Sequence, residues 1–225
     1  IKINLGKKFN NKKILYWAAN PSNKLIINDA KHAYGNFSNS GVVNIDKDGF
    51  AKIKFMVPQN YKTIIKNEKN YTSFFKHIHY VISNNNNDAW IFKIFTKLIN
   101  NNYDYKQLLQ KLNSKEAIIL NVLPSEYYAK DHIPNTYNLP VSQIKKMSIK
   151  DLNDWFISII NLHYPKLKIL IPNKLKLYEI PIISYCAHNQ CTASKNAAEE
   201  LMKKGFVNVS LYEDGMRDYN KQNKN

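Results

Sequence analysis

The sequence predicts a two-domain α+β chain: an N-terminal β-sandwich over residues 1–83 and a C-terminal α/β domain over residues 103–225, built on a central parallel sheet. Three observations predict it. The first part of the chain carries short, largely alternating apolar runs separated by turn signals, which is the period of half-buried strands. The most polar stretch, Asn84–Asp88, follows, and a segment that cannot bury apolar area marks a boundary. Beyond it strand-like and helix-like runs alternate, the order that builds a parallel sheet covered by helices.

In the first domain, Lys13–Ala18 (KILYWA) reads as a strand and Pro21-Ser22-Asn23 as a turn. Ser38–Gly41 is a loop. Gly41–Val57 reads as a hairpin around Asp46-Lys47-Asp48-Gly49, with Phe50, Ile53, Phe55 and Val57 largely alternating. Phe74–Ser83 reads as a further strand that places His77 and His79 on one face and Ile78 on the other. Residues 84–102 are read as a linker with a connecting helix, because Ala89–Ile99 (AWIFKIFTKLI) is apolar around most of a helical circumference.

In the second domain, Tyr105–Leu112 is a short helix, Ile118–Val122 a buried strand, and Ser125–Lys130 a helix with Pro124 near its start. Ser148–Ile160 is amphipathic, with Leu152, Trp155, Phe156, Ile159 and Ile160 on one face. Pro181–Tyr185 is a short apolar run bounded by Pro, which reads as a second buried strand. A helix follows, opened by Ser194 as N-cap, with Ala197, Ala198, Leu201 and Met202 on its apolar face and Gly205 as its stop.

The chemistry is expected where that second strand ends. Cys186 sits at the mouth of the loop Ala187-His188-Asn189-Gln190-Cys191-Thr192-Ala193-Ser194. A helix N-terminus beyond such a loop lowers a thiol pKa, and the thiolate is the nucleophile. Cys186 is therefore the expected catalytic residue. Cys191 is either a filler residue of the loop or a resolving thiol that closes a disulfide with Cys186, and the reduced pair is the favoured reading because a loop without Gly resists tight curling.

These residues resemble the rhodanese-like (sulfurtransferase) domain family, over roughly Tyr103 to Asn220. Asp131-His132-Ile133-Pro134-Asn135-Thr136 is similar to the family's Gly-His-Ile-Pro-Gly-Ala motif. Gly205–Tyr219 is similar to its last strand and Gly-Gly-x-x-x-Trp region, with Asp214 in place of the first Gly and Tyr219 in place of the Trp. The resemblance implies a sulfurtransferase that carries sulfane sulfur as a persulfide on Cys186, with no cofactor, and passes it to a thiol or other sulfur acceptor. It also implies that His132 is structural. The departures are Asn121 and Leu123, where an Asp and an Arg are usual, and a loop with neither Gly nor Arg. They support the alternative, a catalytically weak or inactive module that serves as a structural or interaction subunit with protein partners in a larger assembly. A related phosphatase would need Arg at position 192, which is Thr. Asn161–Glu179 is longer than the family pattern needs and is read as an inserted hairpin near the active-site face.

A second, weaker resemblance lies in the first domain. Trp17–Asn20, Asp46–Gly49, Pro58–Tyr61 and His77-Ile78-His79 run in the order seen in the β-sandwiches of intradiol ring-cleaving dioxygenases. That resemblance implies a non-haem iron held by two Tyr and two His, for which Tyr61, His77 and His79 are the candidate ligands. The first Tyr falls on Leu25, which offers no donor, and nothing in the spacing demands Tyr34 instead. The expectation is therefore two half-buried histidines satisfied by hydrogen bonds, and no metal.

Composition bounds the partners. The net charge of +16 points towards an anionic partner at first sight. Arg217 is the only arginine, however, and base readers favour Arg for bidentate contacts; diffuse Lys reads as a solvated surface, so no specific nucleic acid is expected. Two Cys argue against a secreted disulfide scaffold, and an intracellular, reducing compartment is favoured. No apolar run approaches the ~20 residues of a membrane helix, so no membrane insertion is expected, and Ile1–Lys13 lacks the apolar core of a signal peptide.

Overall fold

The computed structural model describes residues 1–23, 25–64, 71–172 and 174–224. They form two compact units, Ile1–Ile99 and Asn100–Asn225.

The first unit is strand-rich. Its strands are β1 (Lys2–Asn4), β2 (Lys13–Ala18), β3 (Asn28–Asp29), β4 (Ser40–Asn44), β5 (Phe50–Lys52), β6 (Tyr61–Ile64), β7 (Tyr71–Phe74), β8 (His77–Ile82) and β9 (Phe95–Leu98), with a 3-10 turn at Lys7–Phe9 and a short helix, α1 (Ala30–Tyr34), after β3. They fall into a four-stranded sheet in the order β4-β2-β8-β9, a β1-β5 pair, and a three-stranded sheet β3-β6-β7. The alternation read from KILYWA is realised in β2, which buries Ile14, Tyr16 and Ala18 and turns the residues between them outward. These three share a core with Ile78, Tyr80 and Ile82 of β8, with Ile3 and Ala51 from the β1–β5 pair, and with Ile53 just beyond β5. The Asp46–Gly49 turn forms as expected: Asp46 Oδ1 accepts from the amides of Asp48 and Phe50 at 3.0 and 2.9 Å. The strand after it stops at Lys52, short of Val57, and pairs with β1.

One element of this unit differs in kind. The connecting helix expected over Ala89–Ile99 does not form. Phe95–Leu98 is a strand, antiparallel to β8 in the register His77↔Leu98 to Tyr80↔Phe95. Phe95 stacks on Tyr80 at 5.2 Å. The run is rich in aromatic and β-branched residues, which suit a strand once β8 offers an open edge. Phe92 and Ile94 are exposed in consequence.

The second unit alternates strand and helix. Its elements are α2 (Tyr105–Ser114), β10 (Ile118–Asn121), α3 (Ser125–Lys130), β11 (Tyr137–Asn138), α4 (Val141–Lys146), α5 (Ile149–His163), α6 (Lys174–Leu177), β12 (Ile182–Tyr185), α7 (Ala193–Lys203), β13 (Val209–Tyr212) and α8 (Gly215–Gln222). The sheet is parallel throughout, in the order β11-β10-β12-β13. β10, β12 and β13 are buried at every position, because helices cover both faces and leave no side for polar alternation. Ile119, Ile183, Tyr185 and Tyr212 pack with Leu108 of α2 and Met216 and Tyr219 of α8. On α5, Phe156 is buried and packs against Phe206 at 5.0 Å. Two caps act as their residue types dictate. Asp104 and Gln107 form a capping box at the start of α2, and Ser148 caps α5.

The hairpin expected over Asn161–Glu179 is replaced by helical structure. α5 runs on to His163, Pro165–Leu170 forms a 3-10 helix, and α6 follows. Pro165 opens the 3-10 turn, where its fixed φ costs nothing. Leu167 and Leu170 recur at a helical interval and are fully buried. Asn173 lies outside the described residues.

Candidate active site

Cys186 is the residue after β12, the strand flanked by β10 and β13, and it is fully buried. The chain turns immediately: Cys191 N–H donates to His188 O at 2.9 Å, and α7 begins at Ala193. Thr192, not Ser194, is the residue before the helix, and it makes no side-chain cap bond. Ser194 lies in the first turn of α7 instead. Its hydroxyl is 3.5 Å from Cys186 Sγ, and its carbonyl accepts from Ser184 Oγ at 3.0 Å. Ser194 thereby joins the sulfur to the helix start while its own carbonyl is held to β12.

The sulfur's other neighbours are carbonyl oxygens. Cys186 Sγ lies 3.4 Å from Cys191 O and 3.9 Å from His188 O. A thiol S–H donates to such acceptors, whereas a thiolate is repelled by them. Burial pushes the Cys186 thiol up from its ordinary pKa, and the Cys191 side chain adds to the rise. The Ser194 hydroxyl and backbone pull the other way by less. The helix start was expected to lower this pKa; removal from water outweighs it. Both cysteines are free thiols. His188 and Cys191 are half-buried, Asn189, Gln190 and Thr192 are exposed, and Ala187 and Ala193 are half-buried. Lys195, the first cation after His188, is turned to Glu213 at 3.2 Å.

Groups outside the loop position it, beginning with Gly215, which the sequence marks with Asp214 as a turn. Gly215 has φ +61, and a Cβ there would collide with the Cys186 carbonyl oxygen. Its bare backbone lets α8 dock on the loop: Met216 N–H donates to Cys186 O at 3.0 Å and Arg217 N–H to Ala187 O at 2.9 Å. Asp214 has an ordinary φ of −69, so that position does not require Gly. Tyr185, one residue before the cysteine, is fully buried. Its hydroxyl accepts from Ile133 N–H at 3.1 Å and lies 3.0 Å from Thr136 Oγ1, joining β12 to the Asp131–Thr136 turn. His132 is exposed, with Nδ1 2.9 Å from Tyr128 O and its ring stacked on Tyr128 at 4.0 Å. Asn121 Oδ1 accepts from Leu123 N–H at 3.0 Å and so shapes the turn after β10.

In the first unit the candidate ligands Tyr61, His77 and His79 do come together. Tyr61 opens β6, and His77 and His79 project from one face of β8. The Nε2 atoms of the two histidines are 3.0 Å apart, and Tyr61 OH is 3.2 Å from His77 Nε2. Leu25 lies on the loop before β3. Tyr34, the last residue of α1, brings its hydroxyl to 3.3 Å from Tyr61 OH and 3.4 Å from His77 Nε2. Burial lowers the pKa of both histidines, that of His79 to about 4 with the neighbouring His77 contributing, and raises that of both tyrosines. Among the described residues, no group of three or more His, Cys, Asp or Glu is placed to hold a metal ion.

Comparison with known proteins follows this geometry. A family model for the Rhodanese-like domain matches residues 104–222, more than half of the chain. No curated protein matches. Among solved structures, an uncharacterized protein from Saccharomyces cerevisiae is 16% identical, with 55% of this chain and 93% of that chain covered and a TM-score of 0.40. A human single-domain sulfurtransferase is 18% identical, with 54% and 96% covered and a TM-score of 0.39. A single-domain sulfurtransferase from Saccharomyces cerevisiae is 16% identical, with 57% and 94% covered and a TM-score of 0.40. The likeness to intradiol dioxygenases is not shown by these comparisons. No helix among the described residues is long and apolar enough to cross a membrane. With the family model spanning every element from α2 to α8, the chain belongs to the rhodanese-like domain family.

Proposed function

We propose that the second unit is a rhodanese-type sulfurtransferase that carries sulfane sulfur as a persulfide on Cys186, and that it turns over slowly. One observation carries the reading. Cys186 directly follows β12 and holds its sulfur against the first turn of α7, where Ser194 reaches it at 3.5 Å. The Cys186 thiolate attacks the outer sulfur of a donor such as thiosulfate. The donor's S–S bond breaks, sulfite leaves with the electron pair, and a Cys186 persulfide remains. An acceptor thiolate then takes the outer sulfur and returns Cys186 to its thiolate. Slow turnover follows from burial and from the carbonyl oxygens of His188 and Cys191, which favour the thiol over the attacking anion. Residues 187–194 have to shift before a donor reaches the sulfur.

The same two facts support the second reading, in which the unit is a catalytically inactive module bound to protein partners. Incubation with thiosulfate and intact-mass analysis separates the two. A single added sulfur atom that disappears in Cys186→Ser supports the carrier. No adduct, even at high pH and long incubation, leaves the module.

A further inference from the structure

Two features of the first unit play no part in the chemistry of Cys186: its charge, and the exposed apolar tip of its edge strand. Residues 1–99 hold 16 lysines and 5 acidic residues, so +11 of the chain's net +16 falls in this unit. Among the described residues, Lys7, Lys8, Lys12, Lys13 and Lys93 stand in no ion pair.

The apolar tip comes from one irregularity in the sheet. β8 and β9 are in register at Tyr80↔Phe95, and Ser83 bridges Trp90. Between those two pairs β8 supplies Val81 and Ile82, while the facing chain supplies Ile91, Phe92, Lys93 and Ile94. The facing chain is longer by two residues. Ile91 N–H donates to Ile82 O at 2.8 Å, which pins the first of the four, so the excess bulges outward. A bulge re-aims side chains. Here it leaves Phe92 fully exposed and Ile94 61% exposed, with Trp90 and Ile91 exposed beside them. Single exposed apolar residues are ordinary, but four within five residues form a patch, and such patches mark interaction sites.

The lysines share that end of the unit. Ser83 N–H donates to Lys13 O and Lys13 N–H to Ser83 Oγ, both at 2.9 Å. Lys12 Nζ donates to Asn85 Oδ1 and Asn87 Nδ2 to Asn11 O, again at 2.9 Å. The Lys7–Phe9 turn is tied in by Lys12 N–H to Phe9 O at 3.3 Å. The acidic residues at this end are fewer: Asp88, which accepts from Asn84 Nδ2 at 2.7 Å, and Asp46 and Asp48 of the hairpin turn, where Ile45 N–H donates to Lys12 O at 2.8 Å.

Charge and apolar tip together select the occupant. A single-stranded nucleic acid would use the lysines and stack on Trp90 and Phe92, but it offers nothing to Ile91 and Ile94. A bilayer with anionic headgroups uses all of them. Its interface takes up Trp and aliphatic side chains, and its negative surface potential attracts lysines placed behind them. We propose that the Trp90–Ile94 bulge is a peripheral docking tip for an anionic membrane surface. Trp90, Ile91, Phe92 and Ile94 enter the headgroup region, and Lys12, Lys13 and Lys93 face the lipid anions. Backbone at a bulge lies outside the ladder and needs water, so the tip stays at headgroup depth and no segment crosses the bilayer. The docking is independent of the sulfur chemistry of the second unit.

The test uses the full chain and sucrose-loaded vesicles of phosphatidylcholine, with or without phosphatidylserine. Co-sedimentation is expected with the phosphatidylserine vesicles and is expected to weaken as salt rises. Tryptophan emission is expected to shift to the blue on binding, and Trp90→Phe to abolish the shift while the protein still sediments. Phe92→Ser/Ile94→Ser is expected to lower the partition coefficient at least about tenfold, and Lys12→Gln/Lys93→Gln about tenfold. Both pairs are exposed or half-buried, so the variants are expected to keep the parent's circular dichroism and melting temperature. Absence of binding to phosphatidylserine vesicles overturns the proposal. So does equal binding to phosphatidylcholine alone, or undiminished binding by Phe92→Ser/Ile94→Ser. Self-association without vesicles that the same variant abolishes would assign the tip to a second copy of the chain, and oligouridylate binding that it abolishes, with no vesicle binding, would assign it to nucleic acid; either result also overturns the proposal.

Discussion

Replacing Gly215 by Ala tests how the cysteine loop is held. Gly215 sits at φ +61, where an L-residue with a Cβ costs about 1–2 kcal/mol. The added Cβ would also overlap the Cys186 carbonyl oxygen, so α8 must move away from the loop. That movement strains two hydrogen bonds, Met216 N–H to Cys186 O at 3.0 Å and Arg217 N–H to Ala187 O at 2.9 Å. Each is worth about 0.5–1.5 kcal/mol net. Partial relaxation of α8 puts the expected loss at about 2–4 kcal/mol. Urea unfolding should be read by hydrogen exchange of the β10, β12 and β13 amides, which reports this unit and not the other. The variant should also alkylate Cys186 faster, because the carbonyls that cover the sulfur are no longer anchored. Gly215→Asn separates the two causes. Asn tolerates the left-handed region but carries the same Cβ. If collision dominates, Asn costs nearly as much as Ala; if φ dominates, it recovers most of the loss. A change below about 0.5 kcal/mol in Gly215→Ala, with unchanged Cys186 alkylation, would refute the docking argument.

The remaining predictions follow from the same contacts. Because burial raises the Cys186 pKa in the folded state, its alkylation rate should still be climbing at pH values where an unfolded control has levelled off; a coincident profile contradicts the burial argument. The same shift means that the stability held by the neutral thiol is present below the unfolded thiol pKa and is lost as pH rises through the folded value. Cys186→Ala should therefore flatten the alkaline end of the stability curve, as urea midpoints across pH would show. Ser194→Ala removes the hydroxyl that opposes the shift, so Cys186 alkylation at fixed pH should slow; an unchanged rate would remove Ser194 from the site. Tyr185→Phe strands the Ile133 amide and the Thr136 hydroxyl and should cost about 1–3 kcal/mol, read by the same exchange experiment. For the thiol pair, mild peroxide followed by thiol counting should show Cys191 and Cys186 modified independently. Joint loss, recovered by reductant and absent in Cys191→Ser, would establish a disulfide switch instead.

How much was legible depends on whether the deciding interaction lies near in sequence. β12 was readable because Pro181 and a run of β-branched and aromatic residues mark a buried strand, and Cys186 follows at once. The Asp104 and Ser148 caps lie within three residues of the amides they bond. Ala89–Ile99 misled because an apolar run of that length satisfies a helix and a strand alike, and the choice rested with the edge of β8. The Asn161–Glu179 segment misled for a related reason. Its leucines recur at a helical interval, but Pro165 and the polar Pro172-Asn173 pair look like turn punctuation. Tyr34 could be named from the sequence as a stand-in for the Tyr that falls on Leu25, but nothing in the spacing demanded it. It lies 27 residues from Tyr61 and 43 from His77, on a helix of five residues, and only the packing of α1 brings its hydroxyl to theirs.

The cysteine loop marks the sharper limit. Strand, loop and helix were each legible, and so was the sulfur's position between them. What the sulfur meets was not, because spacing places a peptide group without orienting it. A peptide plane carries an N–H on one side and a C=O on the other, and rotating it exchanges a donor for an acceptor at almost no change in chain path. In this loop His188 O and Cys191 O face the sulfur, and His188 O also accepts from Cys191 N–H, closing the turn from residue 188 to 191. That one bond fixes the plane with its oxygen inward. A Gly in the loop would let the plane reverse at little cost; Ala187-His188-Asn189-Gln190-Cys191 contains none. Substituting Gly at Asn189 or Gln190, both exposed, should free the plane and lower the pH at which Cys186 reacts. An alkylation profile unmoved by either substitution would show that burial alone holds the thiol protonated.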